Sequence, residues 1–288
     1  MISRCLICSN INELNKLSYP YETYFNQIIY RYVKCNNCKS VYLLNSISND
    51  EIRRMYDEKN YHSIFYDSNK HPCFNSKIID KINILKTNSK LNICDFGCGN
   101  ANFLNSLSLD FKKVGVEYSL DYVNYLQNNY KDITFLDIEN FLKNKEYENY
   151  FDIIYLGDVL EHLTTPHKIM SHLVSYLSHN GLFIIEGPIE ENYNLIYYVS
   201  KLIGYIKFLT GIKNSFVPYH IYRTNHNSQK LFFNNINYLH INSYETYETG
   251  WPYKNNGALR NFISNINFIL FNNNKSRANR FICTLSKN

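Results

Sequence analysis

No stretch of this sequence reaches the roughly 20 uninterrupted apolar residues that a membrane-spanning helix needs. The nearest, Leu195 to Ile212, is broken by Lys201 and Lys207 and is rich in tyrosine, which reads as an amphipathic helix. Long runs of charge are missing too. The net charge of +5 comes from 30 basic and 25 acidic residues, too mild and too dispersed to argue for a nucleic-acid partner. Met1 to Asn10 lacks the charged, apolar, small-residue order of a secretory signal and already holds Arg4, Cys5 and Cys8. The expectation is a cytoplasmic protein with no membrane span, whose eight cysteines serve as metal ligands or free thiols and not as disulfides. There is no internal repeat.

What is present is 288 residues, 45% of them hydrophobic, enough for one core of ordinary domain size plus an appended lobe. Four of the cysteines stand in two close pairs, Cys5-x-x-Cys8 and Cys35-x-x-Cys38. Two such turns can each present two thiolates to one tetrahedral zinc, a closed site that leaves no position for substrate and is therefore structural. Such a metal would fold a lobe, residues 1–45, too small to bury its own core. Cys73, Cys94, Cys98 and Cys283 have no such spacing and read as packing residues.

Residues 46–90 read as a helical connector or lid. Asn49 or Asp50 could cap NDEIRRMY, and Ile78, Ile79, Ile82 and Leu85 share one face. From residue 91 short apolar strands alternate with amphipathic helices, the pattern of a doubly wound α/β sheet. Strands are expected at 91–96, 112–117, 132–137, 151–156 and 182–187. Thr165-Pro166 opens the helix before the last of these, and Gly181 reads as its stop. Residues 188–226 break the alternation as a helical cap insertion, whose aromatics Tyr193, Tyr197, Tyr198, Tyr205, Phe208 and Tyr222 could meet a ligand or pack together. A helix near 227–236 and strands near 238–248 and 279–286 complete the domain.

The segment LNICDFGCGNANFL is an apolar strand ending in Asp95, a turn with Gly97 and Gly99, and a helix. Glycines let backbone approach a ligand closely, and in open α/β sheets ligands lie beyond the carboxyl ends of the strands. Glu117 ends the next strand, where a carboxylate can accept hydrogen bonds from ribose hydroxyls. A dinucleotide turn would carry a third glycine where Asn102 stands, and Asp95 suits a cationic amino group better than a diphosphate. A hydride-transferring dehydrogenase is disfavoured, and an amino-acid-bearing nucleoside is the expected ligand.

ICDFGCGNANFL, VGVEYS, FLDIENF, FDIIYLGDVLEHL and GLFIIEGP, in this order, resemble the class I S-adenosylmethionine-dependent methyltransferases over about residues 90 to 286. The resemblance implies a Rossmann-like, seven-stranded fold. It assigns Asp95, Gly97 and Gly99 to the methionine part of the cofactor and Glu117 to the ribose. Tyr118, Asp137 and Ile138 fall to the adenine, and Gly157 and Asp158 to the wall after the fourth strand. Ala101 stands where a third glycine is common, and as a small, helix-compatible residue it is expected to change little. With the SVYLLNSISNDEIRRMYDEKNYH linker, the four-cysteine lobe is similar to the front of a subgroup that acts on sugars and other small metabolites.

Methyl transfer to a hydroxyl needs a proton acceptor, and a histidine is the natural one. His162 of DVLEHL and His220 of VPYHIYRTN are the candidates, with Glu161 expected to face solvent. The leading expectation is a methyltransferase acting on a small polar acceptor such as a sugar, a nucleotide-sugar or a related capsule, cell-surface or secondary metabolite. The alternative, an RNA-modifying or nucleic-acid-binding protein that reads through the zinc lobe, would need a basic stripe, and Arg31, Lys34 and Lys39 are too few to make one.

Overall fold

The first 45 residues are mostly strand. In this computed structural model, which describes residues 2–13, 16–56, 78–79, 82, 90–271 and 275–287, β1 (Ile2–Arg4) and β2 (Ile11–Glu13) pair antiparallel around the first cysteine turn. Then β3 (Leu17–Phe25), β4 (Ile28–Lys34) and β5 (Val41–Leu43) form an antiparallel sheet, with the second cysteine turn between β4 and β5. The two turns are built alike. Cys5 N–H donates to Asn10 O and Cys35 N–H to Ser40 O; Ser9 and Lys39 N–H donate back to the Cys5 and Cys35 carbonyls, and both Ser9 and Lys39 take positive φ.

Helix α1 (Asn49–Met55) follows. Its cap is Ser48, one residue before the expected Asn49 or Asp50: the Glu51 N–H donates to the Ser48 hydroxyl while the Glu51 carboxylate accepts from the Ser48 N–H, the reciprocal box that S-x-x-E favours. Ile78 and Ile82 are buried, and Ile79 partly so, against the main sheet. Leu85 and Cys73 lie outside the described residues.

The alternating segment builds β6 (Asn92–Phe96), α2 (Asn102–Ser106), β7 (Lys112–Glu117), α3 (Leu120–Asn129), β8 (Ile133–Asp137), α4 (Ile138–Lys143), β9 (Phe151–Gly157), α5 (Pro166–Tyr176) and β10 (Leu177–Pro188). After it come α6 (Leu195–Leu209), β11 (Tyr222–Arg223), α7 (His226–Asn234), β12 (Leu239–Tyr247), α8 (Ala258–Phe271) and β13 (Arg280–Lys287). The expected strands are all present within a few residues. The seven-stranded sheet runs β12-β13-β10-β9-β6-β7-β8, parallel from β10 to β8, with β13 antiparallel to both β10 and β12. This is the Rossmann-like, doubly wound α/β architecture expected from the sequence. The chain crosses from β6–β7–β8 to β9–β10 at β6, and that reversal opens a crevice at the carboxyl ends.

Both sheet faces are buried. Phe96, Leu156, Phe183, Phe281, Phe232 and Phe233 pack on one side with Phe141, Phe151 and Tyr176. Ile93, Phe103, Phe135, Ile153 and Tyr155 pack on the other. Cys94 and Cys283 are fully buried among the first group and Cys98 is buried in the second, as packing residues should be.

Three local expectations change. Gly181 is not the stop of α5, which ends at Tyr176; it lies within β10, where a Cβ would crowd Leu177 and the Phe151 carbonyl. Thr165 precedes Pro166 as expected but makes no side-chain cap bond. Ala101 is not helical: it is the residue before α2, buried, at φ +60°, a left-handed conformation that glycine adopts more easily.

The front lobe and the insertion share a sheet. β11 pairs with β5, giving the order β11-β5-β4-β3, and α6 lies on β3, where Phe208 stacks on Tyr21 at 5.1 Å. Ile7, Val33 and Tyr42 belong to the same buried cluster as the main sheet, and His167 at the start of α5 is hydrogen-bonded to the Ile7 carbonyl at 2.9 Å.

Candidate active site

The turn from β6 to α2 makes one wall of a cavity of about 270 Å³ at the carboxyl edge of the sheet. Gly97 sits at φ +88° with Val159 against it: a Cβ there would come 2.5 Å from Val159 Cγ2, so neither the backbone nor the space admits a side chain. Glu117 is buried at the end of β7 and held from the backbone: its carboxylate accepts the Gly99 N–H at 3.0 Å and the Tyr118 N–H at 2.8 Å. Burial raises its pKa, and those N–H groups oppose the rise.

Of the residues expected to hold a cofactor, Gly97, Glu117, Tyr118, Ile138 and Asp158 line this cavity. Asp158 stands at φ +53°, clamped by Arg280 Nη2 at 2.7 Å. Asp95, Gly99, Asp137 and Gly157 do not line it. Asp95 is buried at the end of β6, its carboxyl pushed well above the usual range by burial and by Glu117. Asp137 is the cap of α4, accepting the Glu139 and Asn140 N–H groups, and Glu139 lines the cavity instead. Sequence reasoning also missed Ile52 and Tyr56, brought in by α1, and Thr164 and Thr165. The Ser-x-x-Glu box, which fixes where α1 starts, was the available signal for the first two.

His162 forms part of the cavity wall, and His220 stands next to it, ring centroids 5.0 Å apart and near perpendicular. His162 Nδ1 is 2.7 Å from the Tyr56 hydroxyl and 3.1 Å from the Tyr219 carbonyl. A carbonyl can only accept, so a proton on Nδ1 leaves Nε2 as the basic nitrogen. Burial, reinforced by His220, lowers the His162 pKa to about 3, which keeps the ring neutral.

His220 is held differently. Its Nδ1–H donates to Glu190 Oε2 at 2.6 Å, and Glu190 Oε1 pairs with Arg223 at 3.2 Å. Burial lowers the His220 pKa, but the charge and hydrogen bond of Glu190 outweigh it, and the net shift is upward. Glu190 is mostly shielded from solvent, which raises its pKa, yet Arg223 and His220 bring it down to about 2. Glu161, expected in solvent, is buried at the back of the pair, with Oε1 unpartnered and 3.7 Å from His162 Nε2. Burial and Asp158 raise its pKa to about 8. One ligand atom from each of Glu161, His162 and His220 lies within 4.8 Å of the others, so this group could also hold a cation.

Behind the pair lies a second cavity of about 240 Å³, walled by Tyr19, Glu190, Tyr197, Phe216, Arg223 and Trp251 among others. Trp251 stacks on His220 at 6.4 Å. Of the six insertion aromatics named from the sequence, Tyr197 lines this cavity; the rest pack mainly against the front lobe or one another.

Residues 68–229 match a family described as a methyltransferase domain. The chain belongs to that family. The enzyme class expected from the sequence, an S-adenosylmethionine-dependent methyltransferase, is thereby borne out. No curated protein sequence matches the chain. Phosphoethanolamine N-methyltransferase 2 of Haemonchus contortus, in complex with S-adenosyl-L-methionine, is similar with a TM-score of 0.55 and 13% identity, over 86% of this chain and 61% of that one. A protein of Pyrococcus horikoshii OT3 is similar with a TM-score of 0.50 and 14% identity, over 79% of this chain and 98% of that one. At these identities the likeness is one of fold.

In the front lobe the Cys5 and Cys38 sulfurs are 3.7 Å apart and those of Cys8 and Cys35 3.6 Å, and all four lie within 4.8 Å of one another. Four thiolates about 2.3 Å from a tetrahedral zinc would stand about 3.8 Å apart, so the donor set fits that ion.

Proposed function

We propose that this methyltransferase moves a methyl group from S-adenosylmethionine to a small polar acceptor of the sugar, nucleotide-sugar or related metabolite class, with a histidine as proton acceptor. The observation that carries this reading is that His162 lines the cavity at the glycine turn while His220, 5.0 Å from it, is hydrogen-bonded to Glu190, which walls the second cavity with Arg223 and aromatic rings. The buried Glu117 carboxylate, the Gly97 backbone on the cavity wall and the apolar faces of Ile138 and Leu142 suit a nucleoside in the first cavity. When bound, S-adenosylmethionine supplies a methyl group on a positively charged sulfur.

This chain's residues then have three tasks. Glu117 accepts hydrogen bonds from the ribose hydroxyls, with Tyr118 beside the base and Gly97 toward the amino-acid end; Gly99 acts through the hydrogen bond its N–H gives to Glu117, and Asp95 stays buried behind the turn. Glu190 orients His220 through Nδ1, leaving Nε2 to take a proton from the acceptor hydroxyl; Glu190 then stabilises the charged ring. His162, kept neutral, is the second candidate and faces the cofactor side. Ring faces and a buried ion pair in the second cavity suit an acceptor with both apolar and hydroxyl surfaces. Zinc on Cys5, Cys8, Cys35 and Cys38 is structural in this reading and holds the lobe to which β11 is paired.

Calorimetric titration with S-adenosylmethionine and with NAD, alongside metal analysis of the same sample, tests the reading. Binding of S-adenosylmethionine alone, with about one zinc per chain, supports it and justifies a screen of sugar-nucleotide acceptors. Folded, zinc-loaded protein that binds no S-adenosylmethionine would remove it.

A further inference from the structure

Helix α8 is built inside out. It buries two polar side chains, Ser264 and Asn267, while Leu259, Phe262, Phe268, Ile269 and Leu270 are exposed, Leu259 and Ile269 by more than 70%. The buried Asn267 joins this helix to α6, its Oδ1 accepting the Ile196 N–H at 3.3 Å. Helix α6 in turn packs Ile196, Tyr197 and Gly204 inward, Gly204 against the Tyr19 ring. Outward it shows Tyr198, Leu202, Tyr205, Ile206 and Leu209, positions that recur every three or four residues and so form one stripe. Water-facing stripes on two neighbouring helices are more apolar surface than a soluble monomer ordinarily leaves uncovered.

The charge that this stretch of the chain carries is mostly of one sign. From residue 192 to residue 288 the sequence holds eleven lysines and arginines and two acidic residues, Glu245 and Glu248, neither of them on these helices. Lys207, Lys213, Arg260, Lys275 and Arg277 are exposed on or next to α6 and α8. A second copy of the chain is a poor occupant: a two-fold interface sets a patch against itself, and the two helices themselves bring cations and no carboxylate to pair with them. A bilayer rich in anionic headgroups offers an apolar layer and negative charge together.

We propose that α6 and α8 form an interfacial anchor that lies on an anionic lipid bilayer, their apolar stripes at the headgroup–acyl boundary and the lysines and arginines against the phosphates. No helix among the described residues is long and apolar enough to cross a membrane, so the attachment is peripheral. Ile196, Tyr197 and Ser200 of α6 also line the second cavity, so docking holds that cavity about one helix diameter, ~10 Å, from the lipid surface. The anchor does not depend on the methyl-transfer reading.

Flotation of the full chain tests it, with vesicles of phosphatidylcholine and phosphatidylglycerol in equal parts and with vesicles of phosphatidylcholine alone. The chain is expected to float with the mixed vesicles and to bind phosphatidylcholine alone, or the mixed vesicles at high salt, about tenfold less. The double variant Phe262→Asp with Ile269→Asp should lose about tenfold or more of the vesicle binding while its circular dichroism and melting stay as in the wild type. A separate pair, Lys207→Glu with Arg260→Glu, should abolish the preference for phosphatidylglycerol. Absence of wild-type binding to mixed vesicles overturns the proposal, as does equal binding to phosphatidylcholine alone. So does a dimer that the apolar double variant dissolves while vesicle binding is unchanged.

Discussion

The substitution Glu190→Gln keeps the shape of the side chain and removes its charge from beside His220. In the structure Glu190 contacts His220 at 2.6 Å and Arg223 at 3.2 Å, and its side chain is 10% exposed. Burial alone would place His220 below its ordinary value of 6.5, and Glu190 is what lifts it above. Two unit charges about 4 Å apart at an effective dielectric of about 20 interact by about 4 kcal/mol, roughly three pH units. Arg223 opposes part of this, so the variant ring should titrate lower than the wild-type ring. Nitrogen-labelled histidine followed by nuclear magnetic resonance reads the shift without any acceptor substrate.

The signs extend to stability. His220, raised, contributes stability fully present below 6.5 and lost as pH rises through its folded value. Glu190, lowered to about 2, contributes stability present above 4.5 and lost as pH falls toward 2. The difference in unfolding free energy between wild type and variant should therefore be widest between 4.5 and 6.5, up to about 3–5 kcal/mol, and should narrow on either side. A His220 ring that titrates at the same pH in both proteins, or higher in the variant, would refute the reasoning.

Three further outcomes are expected. Gly97→Ala forces a side chain into left-handed backbone against Val159, a strain of about 1–2 kcal/mol that should weaken S-adenosylmethionine binding about tenfold by calorimetry. Cys5→Ser with Cys35→Ser should abolish bound zinc, and because β11 is paired to β5, hydrogen exchange should rise at Tyr222 and Arg223 as well as in the lobe. His220→Ala should cut methyl transfer by about 10²- to 10⁴-fold with cofactor binding intact, whereas unchanged turnover would pass the base role to His162.

The main sheet was legible because its signals are local. Strand periodicity, Asp95 and Glu117 at strand ends, and glycines between strand and helix each act within a few residues of one another, so the spacing in the chain is also the spacing in the fold. The paired cysteines were legible for the same reason: each x-x turn sets two sulfurs on one side, and only their meeting across 26 intervening residues was left to folding.

Less was visible where partners come from distant parts of the chain. Glu161 reads as a solvated neighbour of His162, yet it is buried because β11 and the segment around Tyr219 close over it; the Ile221 N–H donates to the Glu161 carbonyl. Glu190 carries no motif, and it matters because the insertion returns His220 and Arg223 to it from 30 and 33 residues away. Ala101, expected to change little as a small, helix-compatible residue, stands at φ +60° in the turn before α2, where the backbone is left-handed whatever the residue's helix propensity. By itself, then, the sequence determined the methyltransferase sheet, the glycine turn and the four-cysteine pattern, since hydrophobic period and turn chemistry are properties of neighbouring residues. The pairing of His162 with His220 and Glu190, the sheet shared by lobe and insertion, and the outward-facing apolar stripes were decided only in three dimensions, where burial and charge depend on which distant segments pack against each other.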